Sequence, residues 1–94
     1  MNNLQSKVAL ITGGTKGIGY GIAECLLKNG VSVAITGRNE ATTKEAAEQL
    51  SKHGKDLAYA LGIKADVRNF ESQKAAVKAL IKEFGKIDIV IANA

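Results

Sequence analysis

The fold of this 94-residue chain is decided by one stretch near its start, Lys7-Val8-Ala9-Leu10-Ile11-Thr12-Gly13-Gly14-Thr15-Lys16-Gly17-Ile18-Gly19. Its first half is a short, nearly continuous apolar run, which is typical of a strand buried on both faces. Its second half is rich in glycine and leads directly into a helical pattern. A glycine loop between a buried strand and an amphipathic helix predicts the opening βα unit of an α/β fold.

Two hydrophobic periods alternate beyond the loop. The first helix has an apolar stripe at helical spacing, which consists of Ile18, Ile22, Cys25 and Leu26 with Asn29 at its margin. This stripe makes Cys25 a core thiol, and Gly30 ends the helix because glycine tolerates the left-handed conformation. A β-branched strand follows over residues 31–36, and Asn39 is the predicted N-cap of a second helix that runs to about Lys52. The buried face of the second helix is predicted to be Thr43, Ala46, Ala47 and Leu50.

The second half of the chain continues the alternation. A weaker third strand lies within residues 56–64, where the alternating apolar residues are Leu57, Tyr59, Leu61 and Ile63. The third helix stops at Gly85, and its apolar stripe consists of Phe70, Val77, Leu80, Ile81 and Phe84. The fourth strand, residues 87–92, is again of the buried type. The order βαβαβαβ, with a helix in every crossover, predicts a doubly wound parallel α/β sheet of Rossmann type with strand order 3-2-1-4.

Composition excludes several classes of protein. With 46% hydrophobic and 23% charged residues the chain is not intrinsically disordered, and a single cysteine excludes an internal disulfide framework. The lone cysteine and the absence of a signal-peptide core favour a cytoplasmic location. The apolar runs are far shorter than the roughly 20 residues that cross a bilayer, so no membrane contact is expected. The net charge of +4 comes from dispersed lysines, which argues against nucleic-acid binding, and no residues have structural-zinc spacing.

The glycine loop has the spacing G-x-x-x-G-x-G and lies at a predicted helix N-terminus. Unpaired N–H groups and the helix dipole favour a phosphate at such a place. Gly13 is expected to make the turn, Gly17 to let a pyrophosphate approach, and Gly19 to let the helix pack on the strand. The loop is not a P-loop because no Gly-Lys-Ser/Thr sequence occurs. We therefore expect it to hold the phosphates of a dinucleotide.

The end of the second strand indicates which dinucleotide is bound. NAD-binding folds place an acidic residue there for the ribose hydroxyls, whereas this strand ends in Thr36-Gly37-Arg38. A guanidinium suits a phosphate monoester, and Lys16 adds a second cation from the glycine loop. Two cations directed at one point predict NADP(H) as the cofactor and make NAD(H) the less favoured alternative.

The chain resembles the N-terminal third of the short-chain dehydrogenase/reductase family, and in particular its NADP-preferring members of the tropinone-reductase and ketoacyl-reductase types. The resemblance rests on the glycine motif at residues 12–19, on Asp66-Val67 after the third strand and on Asn93-Ala94 after the fourth. It implies that Asp66 meets the adenine amino group, that Val67 adds a backbone contact and that Asn93 lies near the ribose. The complete set of expected cofactor-binding residues is Gly13, Thr15, Lys16, Gly17, Ile18, Gly19, Arg38, Asp66, Val67 and Asn93.

The resemblance also implies hydride transfer between NADP(H) and a small-molecule carbonyl or alcohol, and we expect a homo-oligomer. Residues 1–94 are then the dinucleotide-binding portion of a longer Rossmann domain, inactive by itself. The family's Tyr-x-x-x-Lys motif is absent, because Tyr20 and Tyr59 are followed four residues on by Glu24 and Ile63, so no catalytic residue is named. Ala92 also departs from the family's Asn-Asn-Ala-Gly motif. The alternatives are a stand-alone nucleotide-binding module and a non-catalytic fragment that assembles through its open sheet edge.

Overall fold

A computed structural model describes residues 6–93, and the predicted alternation of strands and helices is present. The elements are, in chain order, β1 (Val8–Thr12), α1 (Gly17–Lys28), β2 (Ser32–Gly37), α2 (Glu40–Ser51), β3 (Ala60–Lys64), α3 (Phe70–Phe84) and β4 (Ile89–Ala92). The strands pair in parallel in the order β3-β2-β1-β4, which confirms the predicted fold class and strand order.

The sheet separates two hydrophobic clusters. α1 and α2 cover one face, where Leu27 and Leu50 belong to the same cluster as Ile11 and Ile35 of the strands. α3 covers the opposite face through Leu80. The helices change face because the chain builds β1, β2 and β3 outward in one direction and then crosses back to place β4 on the other side of β1. Doubly wound sheets open a crevice at this reversal, beyond the carboxyl ends of the strands.

The helix ends agree with the local chemistry that the sequence predicts. The Asn39 side chain caps α2 by accepting a hydrogen bond from the backbone N–H of Thr42 at 2.9 Å. Gly30 and Gly85 both have a φ of +85°, the left-handed conformation in which glycine ends a helix. The buried face of α2 is the predicted one, consisting of Thr43, Ala46, Ala47 and Leu50.

The predicted packing face of α1 is only partly correct, since Ile22 and Leu26 do pack, half-buried, against the core. Its buried residues form a different i, i+4 stripe, Gly19, Ala23 and Leu27. Ile18 is 76% exposed, and the Cys25 thiol is exposed rather than in the core. The first two positions of the real stripe carry small residues, which let the helix backbone approach the sheet more closely than large side chains would allow.

β4 is shorter and more exposed than predicted, and β3 occupies only the second half of the range within which it was predicted. β3 begins only at Ala60, because Leu57 has a φ of +71° and is 96% exposed. β4 begins at Ile89, and Val90 is 63% exposed because this strand lies at an edge of the sheet. Phe70 is 74% exposed at the first position of α3, so it is not part of the core stripe of that helix.

Candidate functional site

A cleft of about 640 Å³ lies beyond the carboxyl ends of β1 and β2. The predicted site residues come together in its wall, which includes the glycine loop together with Arg38, Asp66, Val67 and Asn93. Gly19 is the one predicted residue that does not line the cleft, because it is buried where α1 meets the sheet. The sequence interpretation missed four lining residues, which are Thr36, Gly37, Ala65 and Arg68.

Gly13 makes the turn that follows β1. Its φ is +73°, and a Cβ at this position would lie 2.3 Å from the backbone oxygen of Asn93, so a larger residue does not fit. The N–H of Gly13 donates a hydrogen bond to the buried hydroxyl of Thr36 on β2 at 3.2 Å. The glycine loop is therefore tied to the strands on both sides of β1.

Gly17 begins α1 with a φ of +66°, and no atom lies within 4 Å of the place that a Cβ would occupy. Lys16 is the N-cap residue of α1, and its side chain makes no capping hydrogen bond within the described residues. The first turn of the helix carries no acidic residue. The first N–H groups of a helix have no partner within the helix and lie at the positive end of its dipole. This end of α1 therefore has the space and the polarity that an anion requires.

Asn93 joins the loop after β4 to the glycine loop. Its backbone N–H donates to Thr12 Oγ1 at 3.0 Å, and its side-chain Nδ2 donates to the backbone oxygen of Gly13 at 3.1 Å. A Cβ on Gly19 would lie 2.6 Å from the same Nδ2. Gly19 is thus needed for the close packing of α1 against the glycine loop and against the loop after β4. The sequence predicted that α1 packs closely on β1, but it did not predict the contact with Asn93.

Lys16 and Arg38 both line the cleft, as predicted, and both are exposed. Within residues 6–93, neither has a carboxylate oxygen within 4.0 Å. Glu40, the acid closest to Arg38 in sequence, is instead paired with Lys44 across one turn of α2, with 3.3 Å between Nζ and Oε2. The two cations are therefore available to an anion that enters the cleft.

Asp66 is held by Arg68, a residue that the sequence interpretation missed. Arg68 Nε lies 3.1 Å from Oδ1, its Nη2 lies 3.2 Å from Oδ2, and its backbone N–H donates to Oδ1 at 3.0 Å. These contacts, with a smaller contribution from Arg38, hold the pKa of the Asp66 carboxyl below its usual range. The ion pair neutralises the carboxylate in the cleft wall, so Lys16 and Arg38 leave the cleft with a net positive charge.

Two other polar residues of the described part of the chain, His53 and Asp88, lie outside the cleft. Residues 6–93 contain no group of three or more His, Cys, Asp and Glu side chains that would ligate a metal. None of the helices found there has the length and hydropathy that crossing a bilayer requires. His53 lies at the surface, 3.9 Å from Glu24 Oε1. Asp88 anchors the start of β4, where its Oδ2 accepts a hydrogen bond from the backbone N–H of Val8 at 2.9 Å.

Comparison with known proteins agrees with this arrangement. The family model described as short chain dehydrogenase matches residues 7–94. The chain belongs to this family. The motifs at residues 12–19, 66–67 and 93–94, on which the resemblance rests, all lie within the matched part of the chain.

Curated relatives match the chain along nearly its whole length. A 3-oxoacyl-[acyl-carrier-protein] reductase of Chlamydia muridarum is 42% identical over an alignment of 96 positions, which covers 100% of this chain and 38% of the relative. Tropinone reductase-like 3 of Erythroxylum coca is 37% identical over 90 residues, which are 96% of this chain and 34% of the relative. The chain therefore spans about a third of the length of the curated relatives it matches.

Solved structures show the same fold. The Pseudomonas aeruginosa RhlG/NADP active-site complex has a TM-score of 0.87 and 32% identity, with 99% of this chain and 36% of that chain covered. A 3-ketoacyl-(acyl-carrier-protein) reductase of Brucella melitensis complexed with NADH has a TM-score of 0.79 and 39% identity. That match covers 94% of this chain and 34% of the Brucella chain.

Proposed function

We propose that this chain is the dinucleotide-binding portion of an oxidoreductase that transfers hydride between NADP(H) and a carbonyl or alcohol substrate. The observation that carries the proposal is the cleft, whose wall combines the open backbone of Gly17 with two cations, Lys16 and Arg38, that form no ion pair within residues 6–93. Membership of the short chain dehydrogenase family supports the choice of a nicotinamide dinucleotide.

The start of α1 fits the diphosphate of such a cofactor. A Cβ on Gly17 would point into open space, so the backbone N–H groups of the first turn can be approached closely. Thr15 and Ile18 flank the same surface. In this proposal the glycine loop from Gly13 to Gly19 holds the diphosphate, with Gly19 acting through the packing of α1.

The far side of the cleft fits the adenosine. Asp66 would accept a hydrogen bond from the adenine amino group, and Val67 would supply a backbone contact. The Arg68 ion pair supports this role because it keeps the Asp66 carboxyl ionised and fixes its orientation. Asn93, which is bonded to the glycine loop, would lie beside the ribose.

The preference for NADP(H) rests on charge. Structural relatives include one complex with NADP and one with NADH, so the family alone does not determine the preference. Lys16 and Arg38 are unpaired in the part of the chain that the structure describes, whereas the acidic Glu40 is engaged by Lys44. Two such cations favour the dianionic 2′-phosphate of NADP over the ribose hydroxyls of NAD.

The proposed reaction belongs to the protein at its natural length. A bound nicotinamide dinucleotide supplies the hydride, and the protein supplies binding and orientation. Several matched relatives are named as reductases, which supports a carbonyl or alcohol substrate. Because the 94 residues contain no Tyr-x-x-x-Lys sequence, we propose that they perform no turnover alone.

Titration of the chain with adenosine 2′,5′-bisphosphate and with 5′-AMP, followed through backbone amide NMR shifts, tests the proposal. We expect shifts at Lys16, Gly17 and Arg38, and at least about tenfold tighter binding of the bisphosphate, since charge-assisted hydrogen bonds contribute roughly 1.5–3 kcal/mol each. No shift in the cleft with either nucleotide would overturn the proposed site. Equal affinities would leave a nucleotide site but remove the preference for NADP(H).

A further inference from the structure

The end of β3 brings another cation to the neighbourhood of Arg38. Lys64 is the last residue of β3 and is exposed. Its register partner on β2 is Gly37, the residue immediately before Arg38, and the N–H of Ala65 donates to the Gly37 oxygen at 2.9 Å. Adjacent strands lie about 4.8 Å apart, so the backbones that carry Lys64 and Arg38 are immediate neighbours.

The register also determines the face of the sheet from which Lys64 projects. A Cβ on Gly37 would point toward Thr43 and Thr15, on the side of α2 and the glycine loop. A Cβ on Gly62, two residues before Lys64, would likewise meet Thr43. Because side chains alternate along a strand, Lys64 leaves the sheet on the same side as the glycine loop that carries Lys16.

The ammonium group of Lys64 forms no ion pair in the part of the chain that the structure describes. Within residues 6–93 it has no carboxylate oxygen within 4.0 Å, whereas Arg68 is bound to Asp66 and Lys44 to Glu40. Lys64 and Arg38 together line a depression of about 410 Å³, and Arg38 and Asp66 also line the main cleft. The unpaired positive charge of the site therefore extends from the glycine loop across β2 to β3.

We propose that Lys64 is a third cation that recognises the 2′-phosphate, and so a specificity-determining residue for NADP(H); this rests on the proposed function. A phosphate monoester carries close to two negative charges at neutral pH and three acceptor oxygens, so it can be met from more than one side. Lys64 approaches from β3, Arg38 from β2 and Lys16 from the glycine loop. The long, flexible lysine side chain suits a contact that crosses from one strand to the next.

The test is Lys64→Gln in the protein at its natural length, with affinities for NADP and NAD measured by calorimetry. We expect NADP binding to weaken about threefold to fivefold and NAD binding to stay within about twofold, as the loss of one exposed charge contact predicts. Lys64→Arg should retain the preference. Lys52→Gln is the matched control, because it removes the same charge from the exposed far end of α2.

Each outcome separates this inference from the proposed function. If the unmodified protein prefers NADP and Lys64→Gln keeps that preference, Lys64 plays no part and only the inference fails. Equal weakening of NADP and NAD, or an effect matched by Lys52→Gln, likewise overturns it. If the unmodified protein binds neither dinucleotide, the proposed function itself is wrong. If it binds both equally, the nucleotide site stands, and the NADP(H) preference fails together with this inference.

Discussion

The side-chain amide of Asn93 donates to the backbone oxygen of Gly13 at 3.1 Å, so the loop after β4 is bonded directly to the turn after β1. Those two residues are 80 positions apart in the sequence. The contact bridges β1 and β4, where the strand order of the sheet reverses. Gly19 of α1 packs against both Asn93 and Gly13. The geometry of the glycine loop therefore depends on a residue from the opposite end of the chain.

Gly19→Ala should destabilise the fold. Its Cβ would lie 2.6 Å from Asn93 Nδ2 and 2.7 Å from the Gly13 oxygen, and relieving such contacts costs about 1–3 kcal/mol. Gly21→Ala is the control on the same helix, because a Cβ there meets nothing within 4 Å. It should stabilise the chain by roughly 0.5–1 kcal/mol through helix propensity. Urea unfolding followed by circular dichroism measures both, and equal effects would contradict the packing role of Gly19.

Gly17→Ala should weaken nucleotide binding beyond its effect on stability. The φ of +66° makes any Cβ at this position strained, although there is open space around it. Gly85→Ala is the matched control, since Gly85 has a φ of +85° and is likewise surrounded by open space. Both should lose stability by about 1–2 kcal/mol. Only Gly17→Ala should reduce affinity for adenosine 2′,5′-bisphosphate, and unchanged affinity would remove Gly17 from the phosphate site.

Arg38→Asp should move the dinucleotide preference toward NAD in the protein at its natural length. The substitution removes a charge-assisted contact, so the ratio of NADP to NAD affinity should fall about tenfold to a hundredfold. Arg68→Gln is the comparison, because the Arg68 guanidinium is already bound to Asp66. It should affect both dinucleotides to a similar extent. A preference that survives Arg38→Asp would exclude Arg38 from the 2′-phosphate site.

Asp88→Asn should change how stability depends on pH. The hydrogen bond from the Val8 N–H, followed by the contacts of Lys86, lowers the pKa of the Asp88 carboxyl below its ordinary value of 3.8. A depressed folded-state pKa gives stabilisation that is present above pH 3.8 and is lost as the pH falls through the lower folded-state value. The melting temperatures of the original and variant chains should therefore differ at pH 6 and converge toward pH 2–3.

The control for that experiment is Glu48→Gln, which removes the same charge from an exposed position on α2. It separates the local contact of Asp88 from a change in net charge. A constant difference in melting temperature between Asp88→Asn and the original chain across the whole range would show that the carboxylate interaction does not contribute.

The order of the strands and most of the residues that line the cleft could be predicted, because both follow from the topology of the sheet. Once each crossover contains a helix, parallel strands bring all their following loops to one edge, so Lys16, Arg38, Asp66 and Asn93 had to lie near each other. The roles assigned to these residues, the NADP(H) preference, the homo-oligomer and the cytoplasmic location stay predictions.

Packing details could not be predicted in the same way. The prediction for α1 assigned the larger apolar side chains to the packing face. In the structure the helix lies close to the sheet, so the small residues Gly19 and Ala23 are the buried ones. The Asp66–Arg68 ion pair depends on a local turn that sequence spacing suggests only weakly. The exposure of Val90 reflects the position of β4 at an edge, since an apolar pattern does not report how many neighbours a strand has.

The central place of β1 has a consequence for synthesis of the protein. Its Ala9 pairs with Ile89, so one side of this strand acquires its partner only after 80 more residues have been made. At a translation rate of about 5–20 residues per second, the interval is roughly 4–16 s. Throughout that time the nascent βαβ unit presents a row of unsatisfied amides to other growing chains. Elongation speed and ribosome-associated chaperones should therefore influence the yield of native protein.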